Sequence, residues 1–252
     1  MFDLTGRNAF VTGASRGIGR VVALALAEAG ADVALVARGT DGLAKTAAAV
    51  EALGHRACVI QADVTDYGAV TGSVATAIDQ LGHIEIVVNN AGGSNFIVPF
   101  RDIRLSGWDK LIQLNLNSAV YVCHGFAGHL LERGQGSVIN MASVAGIDAA
   151  PNISPYGAAK AALIGLTRTL AVEWGQSGVR VNALCPGWTA TDLNRVLWED
   201  EQAGPATVAT SAMKRWARAE EMAGPAVFLA SDASSFMTGQ TLIVDGGQTI
   251  SA

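Results

Sequence analysis

Tyr156 and Lys160 stand four residues apart at the start of an apolar, alanine-rich run, Ser154-Pro155-Tyr156-Gly157-Ala158-Ala159-Lys160. On a helix this spacing stacks the phenol and the ammonium on one face, so two polar tips share one site. A free phenol loses its proton at about pH 10, and a fixed positive charge beside it favours the phenolate and lowers that value. Tyr156 so placed is an acid or base usable at neutral pH. Two more polar residues stand within reach of such chemistry. Ser143 follows an apolar run over residues 137–142, and Asn115 lies inside a long helix-periodic stretch that starts at Ser106 or Gly107 and runs to Leu131. An asparagine side chain competes with the helix backbone for hydrogen bonds, so Asn115 either bends that helix or holds a water for chemistry.

The N-terminal third of the chain offers a place for a nucleotide. A short apolar run, residues 8–11, ends in Thr12-Gly13-Ala14-Ser15-Arg16-Gly17-Ile18-Gly19, and a helix over 21–29 follows, closed by Gly30. Strand, glycine turn and helix make the first half of a βαβ unit. The glycines let the backbone approach a ligand closely, and the helix N-terminus offers free N–H groups and a positive dipole end to a phosphate. The spacing is Gly-x3-Gly-x-Gly, not the commoner Gly-x-Gly-x2-Gly of dinucleotide sites. A second buried strand, residues 32–37, leads directly to Arg38. At that position an acid selects a free ribose 2′-hydroxyl and a base accommodates a 2′-phosphate. Arg38, with Arg16 as a second cation, therefore favours NADP(H) over NAD(H). Asp63, followed by Val64, comes after a third strand over 56–60 and can accept from an adenine amino group. The next helix, 70–81, is better capped by Thr65 or Asp66.

A fourth strand, 84–88, runs into Asn89-Asn90-Ala91-Gly92-Gly93. Side chains of adjacent asparagines can tie neighbouring strands together, the role read for Asn89, while Gly92 leaves room for a ribose. The apolar run 137–142 is a fifth strand, and a sixth, 180–184, ends in Cys185-Pro186-Gly187-Trp188-Thr189-Ala190-Thr191. Residues 192–218 carry Leu193, Leu197, Trp198 and Trp216 without a clean period. A long irregular segment in an α/β domain is often a substrate lid, placed here at about 188–218. The last helix spans 220–230 and the last strand 241–244. Strands and helices alternate with no break in composition. This predicts a single α/β domain over residues 1–252, a Rossmann-type doubly wound parallel sheet of about seven strands with helices on both faces.

Bulk properties narrow the function classes. The chain has 252 residues, half of them hydrophobic, enough for a substantial core. Its net charge of −5 comes with no dense Lys/Arg block, so it lacks the electrostatic footprint of a nucleic-acid-binding protein and does not favour an anionic membrane. No apolar run reaches about 18 residues and the N-terminus has no signal-type pattern, which predicts a cytoplasmic protein. Cys58, Cys123 and Cys185 are odd in number, far apart and not in metal spacing, so they read as buried thiols with neither disulfide nor metal.

Taken in order, Thr12-Gly13-x3-Gly17-x-Gly19, Asn89-Asn90-Ala91-Gly92, Asn115, Ser143, Tyr156-x3-Lys160 and Pro186-Gly187 resemble the motifs of the short-chain dehydrogenase/reductase family. The resemblance covers nearly the whole chain, from Leu4 to Gly247, and the ordered set is far more specific than any one motif. It implies a ketone or alcohol as the small-molecule substrate and a nicotinamide dinucleotide as hydride carrier. In this reading Tyr156 moves a proton at the substrate oxygen, Ser143 hydrogen-bonds the same oxygen, and Lys160 lowers the tyrosine pKa and holds the nicotinamide ribose. Asn115 holds a water that connects Lys160 to solvent. The implied cofactor contacts are Gly13, Ser15, Arg16, Gly17, Ile18 and Gly19 in the glycine turn, then Arg38, Asp63, Val64, Asn90, Ala91 and Gly92. Pro186, Gly187, Thr189 and Thr191 complete them around the nicotinamide, together with Tyr156 and Lys160. The family usually forms tetramers through the helices that contain Asn115 and Tyr156, which makes a homotetramer the expectation.

By overall pattern the chain is similar to 3-oxoacyl carrier-protein reductases and to gluconate 5-dehydrogenase-like polyol and sugar-acid enzymes. Val172 precedes Glu173 where the carrier-protein enzymes often place an arginine, and Arg133 is the other basic contact such a carrier could use. Against a sugar-acid substrate, no arginine follows the Asn89 to Gly92 turn; the small, polar Gly93-Ser94-Asn95-Phe96 stands there instead. His55, His83, His124 and His129 match none of the family's catalytic positions. A non-catalytic nucleotide-binding scaffold is the alternative from another class, because fold does not fix function. Such proteins commonly lose the tyrosine or the lysine, and this chain has both.

Overall fold

In the computed structural model, which describes residues 1–94 and 97–251, the apolar runs form one seven-stranded sheet. Its strands are β1 (Asn8–Thr12), β2 (Asp32–Ala37), β3 (Ala57–Gln61), β4 (Ile86–Asn89), β5 (Gly136–Met141), β6 (Val179–Pro186) and, after the short β7 (Thr189–Ala190) and β8 (Ala217–Arg218), β9 (Thr241–Val244). The order is β3-β2-β1-β4-β5-β6-β9, and every pairing is parallel. Crossover helices must cover both faces of such a sheet, which is why its central strands are Val-, Ile- and Ala-rich without alternation. Side chains still point alternately to the two faces. Val11, Leu35 and Val88 pack against α1 (Gly17–Glu28), α2 (Thr40–Ala52) and α9 (Ala223–Ala230). Phe10, Val36 and Val87 pack against α3 (Tyr67–Leu81), α5 (Ser118–Arg133) and α6 (Ser154–Gly175). The Phe10 and Phe126 rings meet edge to face, 4.9 Å apart, at the centre of the second layer.

The chain runs outward from β1 to β3, then returns to β4 on the other side of β1. Loops after β1 and β4 therefore diverge and leave a crevice at their C-terminal ends, where doubly wound sheets bind ligands. Asn89 has the strand-tying role read for it. Its Nδ2 donates to Asn140 Oδ1 across β4 and β5 (2.8 Å), and Asn140 Nδ2 donates in turn to Thr167 Oγ1 (2.8 Å) on α6. This chain of amides sets α6 against the end of the sheet.

Several elements differ from the sequence reading. α1 starts at Gly17, not at 21, so the last two glycines of the turn already lie in its first turn behind an extended Arg16, Gly17 with a left-handed φ of 55°. α3 starts at Tyr67, capped by Asp66, whose carboxylate accepts from the Ala69 N–H (2.8 Å). The long helix around Asn115 is not continuous. α4 (Leu105–Ile112) passes into a five-residue π-helical turn, Gln113–Asn117, before α5 begins. The irregular stretch contains α7 (Arg195–Trp198) and α8 (Ala203–Val208), and the last helix begins as a 3-10 turn over Ala219–Met222. All three cysteines are free and buried. No described helix is long and apolar enough to cross a membrane.

Candidate active site

The glycine turn is held in shape by residues at the end of β4. Thr12 Oγ1 accepts from the Asn90 and Ala91 N–H groups, both at 3.0 Å, and Asn90 Nδ2 donates back to the Thr12 carbonyl (2.9 Å). Asn90 thereby fills the space beside Gly13 and Gly19, where a Cβ would collide with its Nδ2. Gly13 and Gly17 have φ of 68° and 55°, values that favour glycine. Ser15 packs its backbone against Gly42 of α2, Thr46 Oγ1 donates to the Ala14 carbonyl (3.0 Å), and Ile18 packs on the core. No side chain caps the first turn of α1 and no acid lies in it, so its free N–H groups suit an anion. Arg16 is exposed at its head. These features fit the pyrophosphate of a dinucleotide.

Arg38 is exposed at the end of β2, with its carbonyl held by Gln61 Nε2 (3.0 Å) and its guanidinium 3.8 Å from the Asp63 carboxylate. Asp63 also accepts from the Thr65 N–H (2.9 Å) and hydroxyl (2.8 Å), and these bonds, ahead of Arg38, keep its pKa below the ordinary aspartate value. Asp63 thus stands beside Arg38, just beyond the C-terminal ends of β2 and β3. The Val64 side chain is buried in the core, which leaves only its backbone for a ligand.

Tyr156 and Lys160 lie one turn apart on α6, with Lys160 Nζ 5.6 Å from the phenol ring centroid. Lys160 is buried at 3% exposure and donates to the Met141 carbonyl (2.7 Å) at the end of β5. Burial lowers its pKa to about 8. The expected depression of the Tyr156 pKa is not found. Desolvation pushes the phenol above its ordinary value, and the opposing influence is a hydrogen bond with Ser143. The lysine is turned toward a carbonyl, not toward the phenol oxygen, which explains why burial prevails. Ser143 opens a 3-10 turn, Val144–Gly146, and Gly146 presses on the α6 backbone at Lys160, where a Cβ would overlap the peptide. That contact brings Ser143 and Tyr156 together.

Asn115 is 1% exposed, and its amide is spent on protein. Oδ1 accepts from the Gly93 N–H (2.7 Å), while Nδ2 donates to the carbonyls of Gly93 and Leu111, both at 3.0 Å. The side chain accompanies the π turn over Gln113–Asn117. Gly92 lies between Asn115 Oδ1 and Lys160 Nζ, and a Cβ there would sit 2.7 Å and 3.2 Å from them. Asn115 and Lys160 thus meet at Gly92, and Lys160 lies one turn from Tyr156, which bonds Ser143.

The segment after β6 returns to this place. Gly187 packs against Asp245, and its N–H donates to the Val244 carbonyl (3.0 Å), which fixes the Pro186-Gly187 turn at the sheet edge. β7 pairs with β8, and the Trp188 and Trp216 rings meet 5.3 Å apart, so the two ends of the 188–218 segment are clasped together. Asn194 bonds the Thr191 N–H and hydroxyl and the Thr189 carbonyl, and Trp198 Nε1 donates to the Thr191 carbonyl (2.9 Å). Thr191 consequently stands beside Gly17, and Leu193 rests on Gly93. Asn95 and Phe96, part of the loop read as a substrate determinant, lie outside the described residues.

Three participants were not singled out by sequence reasoning. Thr12 is the hub between the two loops, Asn194 pins the segment over the cleft, and Cys185 is buried beside the Ser143 N–H and Lys160 with its thiol raised to about 11 by burial. A polar residue closing an apolar strand is the only local signal, and it marks Thr12 alone.

The model of the enoyl-(acyl carrier protein) reductase family matches residues 13–249. The chain is 41% identical to gluconate 5-dehydrogenase of Gluconobacter oxydans, across 100% of this chain and 98% of the relative. It is 39% identical to cis-4-hydroxycyclohexanecarboxylate dehydrogenase of Sinomonas cyclohexanicum, across 96% of each. Among solved structures, a gluconate 5-dehydrogenase from Burkholderia cenocepacia in complex with NADP and tartrate superposes with a TM-score of 0.95 at 37% identity, covering 100% of this chain and 98% of the other.

Proposed function

Because the chain belongs to the short-chain dehydrogenase/reductase family, we propose that it interconverts a ketone and a secondary alcohol with NADP(H), with Tyr156 moving the proton. The observation that carries this reading is a connected set: Asn115 and Lys160 meet at Gly92, Lys160 stands one turn from Tyr156, and Tyr156 bonds Ser143. NADPH, when bound, supplies the hydride. The turn from Gly13 to Gly19 and the first turn of α1 hold its pyrophosphate, and Arg38 and Arg16 hold the 2′-phosphate. Lys160 would hold the nicotinamide ribose, and Thr189, Thr191, Pro186 and Gly187 would hold the nicotinamide.

In the direction of reduction, Tyr156 Oη gives its proton to the carbonyl oxygen as negative charge develops there, and Ser143 Oγ donates a second hydrogen bond to the same oxygen. A phenol whose pKa is raised by burial keeps its proton at neutral pH, as an acid must. Asn115 contributes by holding the Gly93 backbone, and with it the wall of the cleft. The 188–218 segment acts as the substrate lid, consistent with its clasped base and with Leu193 on Gly93.

Tyr156→Phe is expected to lower kcat by about 10²- to 10⁴-fold while NADPH still binds, measured by the cofactor's fluorescence. Undiminished turnover would remove Tyr156 from the mechanism. A carrier-protein substrate is disfavoured, since Arg133 is engaged with Glu85 (3.6 Å) and Val172, at 82% exposure, is apolar. Exposed Val120 on α5 and Val172 on α6 suit a homotetramer built through those helices, which light scattering would test. A cytoplasmic location fits three buried, free thiols.

A further inference from the structure

Three segments adjoin the residues around Tyr156, through Gly93, Val98 and Gly146, and each shows an apolar side chain to solvent. Leu193 is 48% exposed although it rests on Gly93, Ile97 is 67% exposed and Ile147 is 44% exposed. The Val98 N–H donates to the Asn152 carbonyl (2.8 Å), which ties Val98 to the loop that follows the Ser143 turn. Leu193 ties the 188–218 segment to Gly93. Apolar side chains scattered singly on a surface need no explanation, but three on segments that adjoin one polar site can line a small-molecule site.

Charge on this rim points the same way. Arg195, two residues beyond Leu193, is already engaged by Asp192 and lies 3.8 Å from Glu199. Asp148, next to Ile147, is exposed. A carboxylate approaching between Leu193 and Ile147 would meet Asp192, Asp148 and Glu199 and find Arg195 taken, while the exposed Arg101, beside Asp102, and Arg104 lie further along the stretch after Ile97.

We infer that the substrate of this site is an uncharged ketone with an apolar body, whose hydrocarbon frame covers Leu193, Ile147 and Ile97 while its carbonyl reaches Tyr156 and Ser143. The inference rests on the reductase reading and chooses apolar ketones over sugar acids and polyols. The test is a set of initial rates at saturating NADPH with cyclohexanone, its methyl, ethyl and propyl derivatives substituted opposite the carbonyl, a ketogluconate and a neutral ketose, with NADPH binding measured in parallel by fluorescence. Each added methylene that becomes buried should raise kcat/KM about fourfold, carried mainly by KM. Leu193→Ser should raise KM for the propyl ketone about tenfold with a smaller change in kcat, and Leu193→Met should recover most of it. A flat or falling alkyl series, or a preference for the ketogluconate or the ketose, overturns the inference and leaves the reductase reading standing. If protein that binds NADPH turns over no ketone at all, the reductase reading falls and this inference with it.

Discussion

Lys160 is a buried cation that donates to a neutral carbonyl, and desolvation brings its pKa to about 8. It should therefore lose its charge at mildly alkaline pH in the free protein. Because kcat/KM reports ionisations of the free enzyme, kcat/KM for NADPH should fall as pH rises through about 8. Lys160→Arg, whose guanidinium stays charged, should shift that falling limb upward even where it lowers the rate. A limb that stays in place would assign it to another group. At the adenosine end, Arg38 is the exposed cation nearest Asp63. Losing a charge-assisted bond costs about 1.5–3 kcal/mol, so Arg38→Ala should reduce the NADPH to NADH efficiency ratio by roughly tenfold to a hundredfold. An unchanged ratio would place the 2′-phosphate elsewhere.

The elements matter through how they end. β5 stops at Met141, whose carbonyl receives Lys160, and the π turn at Gln113–Asn117 turns Asn115 toward Gly93. π turns inside α-helices often mark functional sites, because the extra residue re-aims side chains that a regular helix would send elsewhere. The Asn89–Asn140–Thr167 chain is the corresponding device between sheet and helix. Asn140→Ala would leave Asn89 Nδ2 without its bond across the strands and Thr167 without its donor, at a cost of about 2–4 kcal/mol. The thermal midpoint should drop by several degrees, about 2–4 °C for each kcal/mol in a chain of this size, as read by calorimetry. A midpoint within about 1 °C of the parent would show that the ladder contributes little.

At the scale of the whole molecule, the end of the sheet opposite the cleft carries an acid-sensitive contact. His129 Nε2 accepts from the Ile84 N–H (3.1 Å), and burial, followed by the charge of Arg133, lowers its pKa. The folded chain thus keeps His129 neutral where the unfolded chain protonates it. Below about pH 6.5 the unfolded state binds the extra proton, so this contribution to stability is present above that pH and is lost as pH falls toward the folded value. Melting measured at about pH 7.5 and pH 5.5 should show a drop on acidification that is smaller in His129→Gln. An equal drop in the two proteins would assign acid sensitivity to other groups.

Local pattern was enough for much of this protein. Residues 32–37 and 241–244 are strands with the bounds their apolar runs predict, the glycine turn follows β1 as expected, and Tyr156 and Lys160 share a helix face because spacing alone decides that. Alternation of strands and helices sufficed for the parallel sheet. What only the tertiary structure decided depends on residues far apart in the chain. Thr12 is a hub because Asn90 arrives beside it, and Asn115 clamps Gly93 because a π turn aims it there. Leu193 becomes a wall because β7 and β8 close the segment that carries it. The direction of the Tyr156 shift belongs to the same group. A nearby lysine can be read from spacing, but how deeply the phenol is desolvated, and which way the ammonium turns, is set by packing that no local pattern encodes.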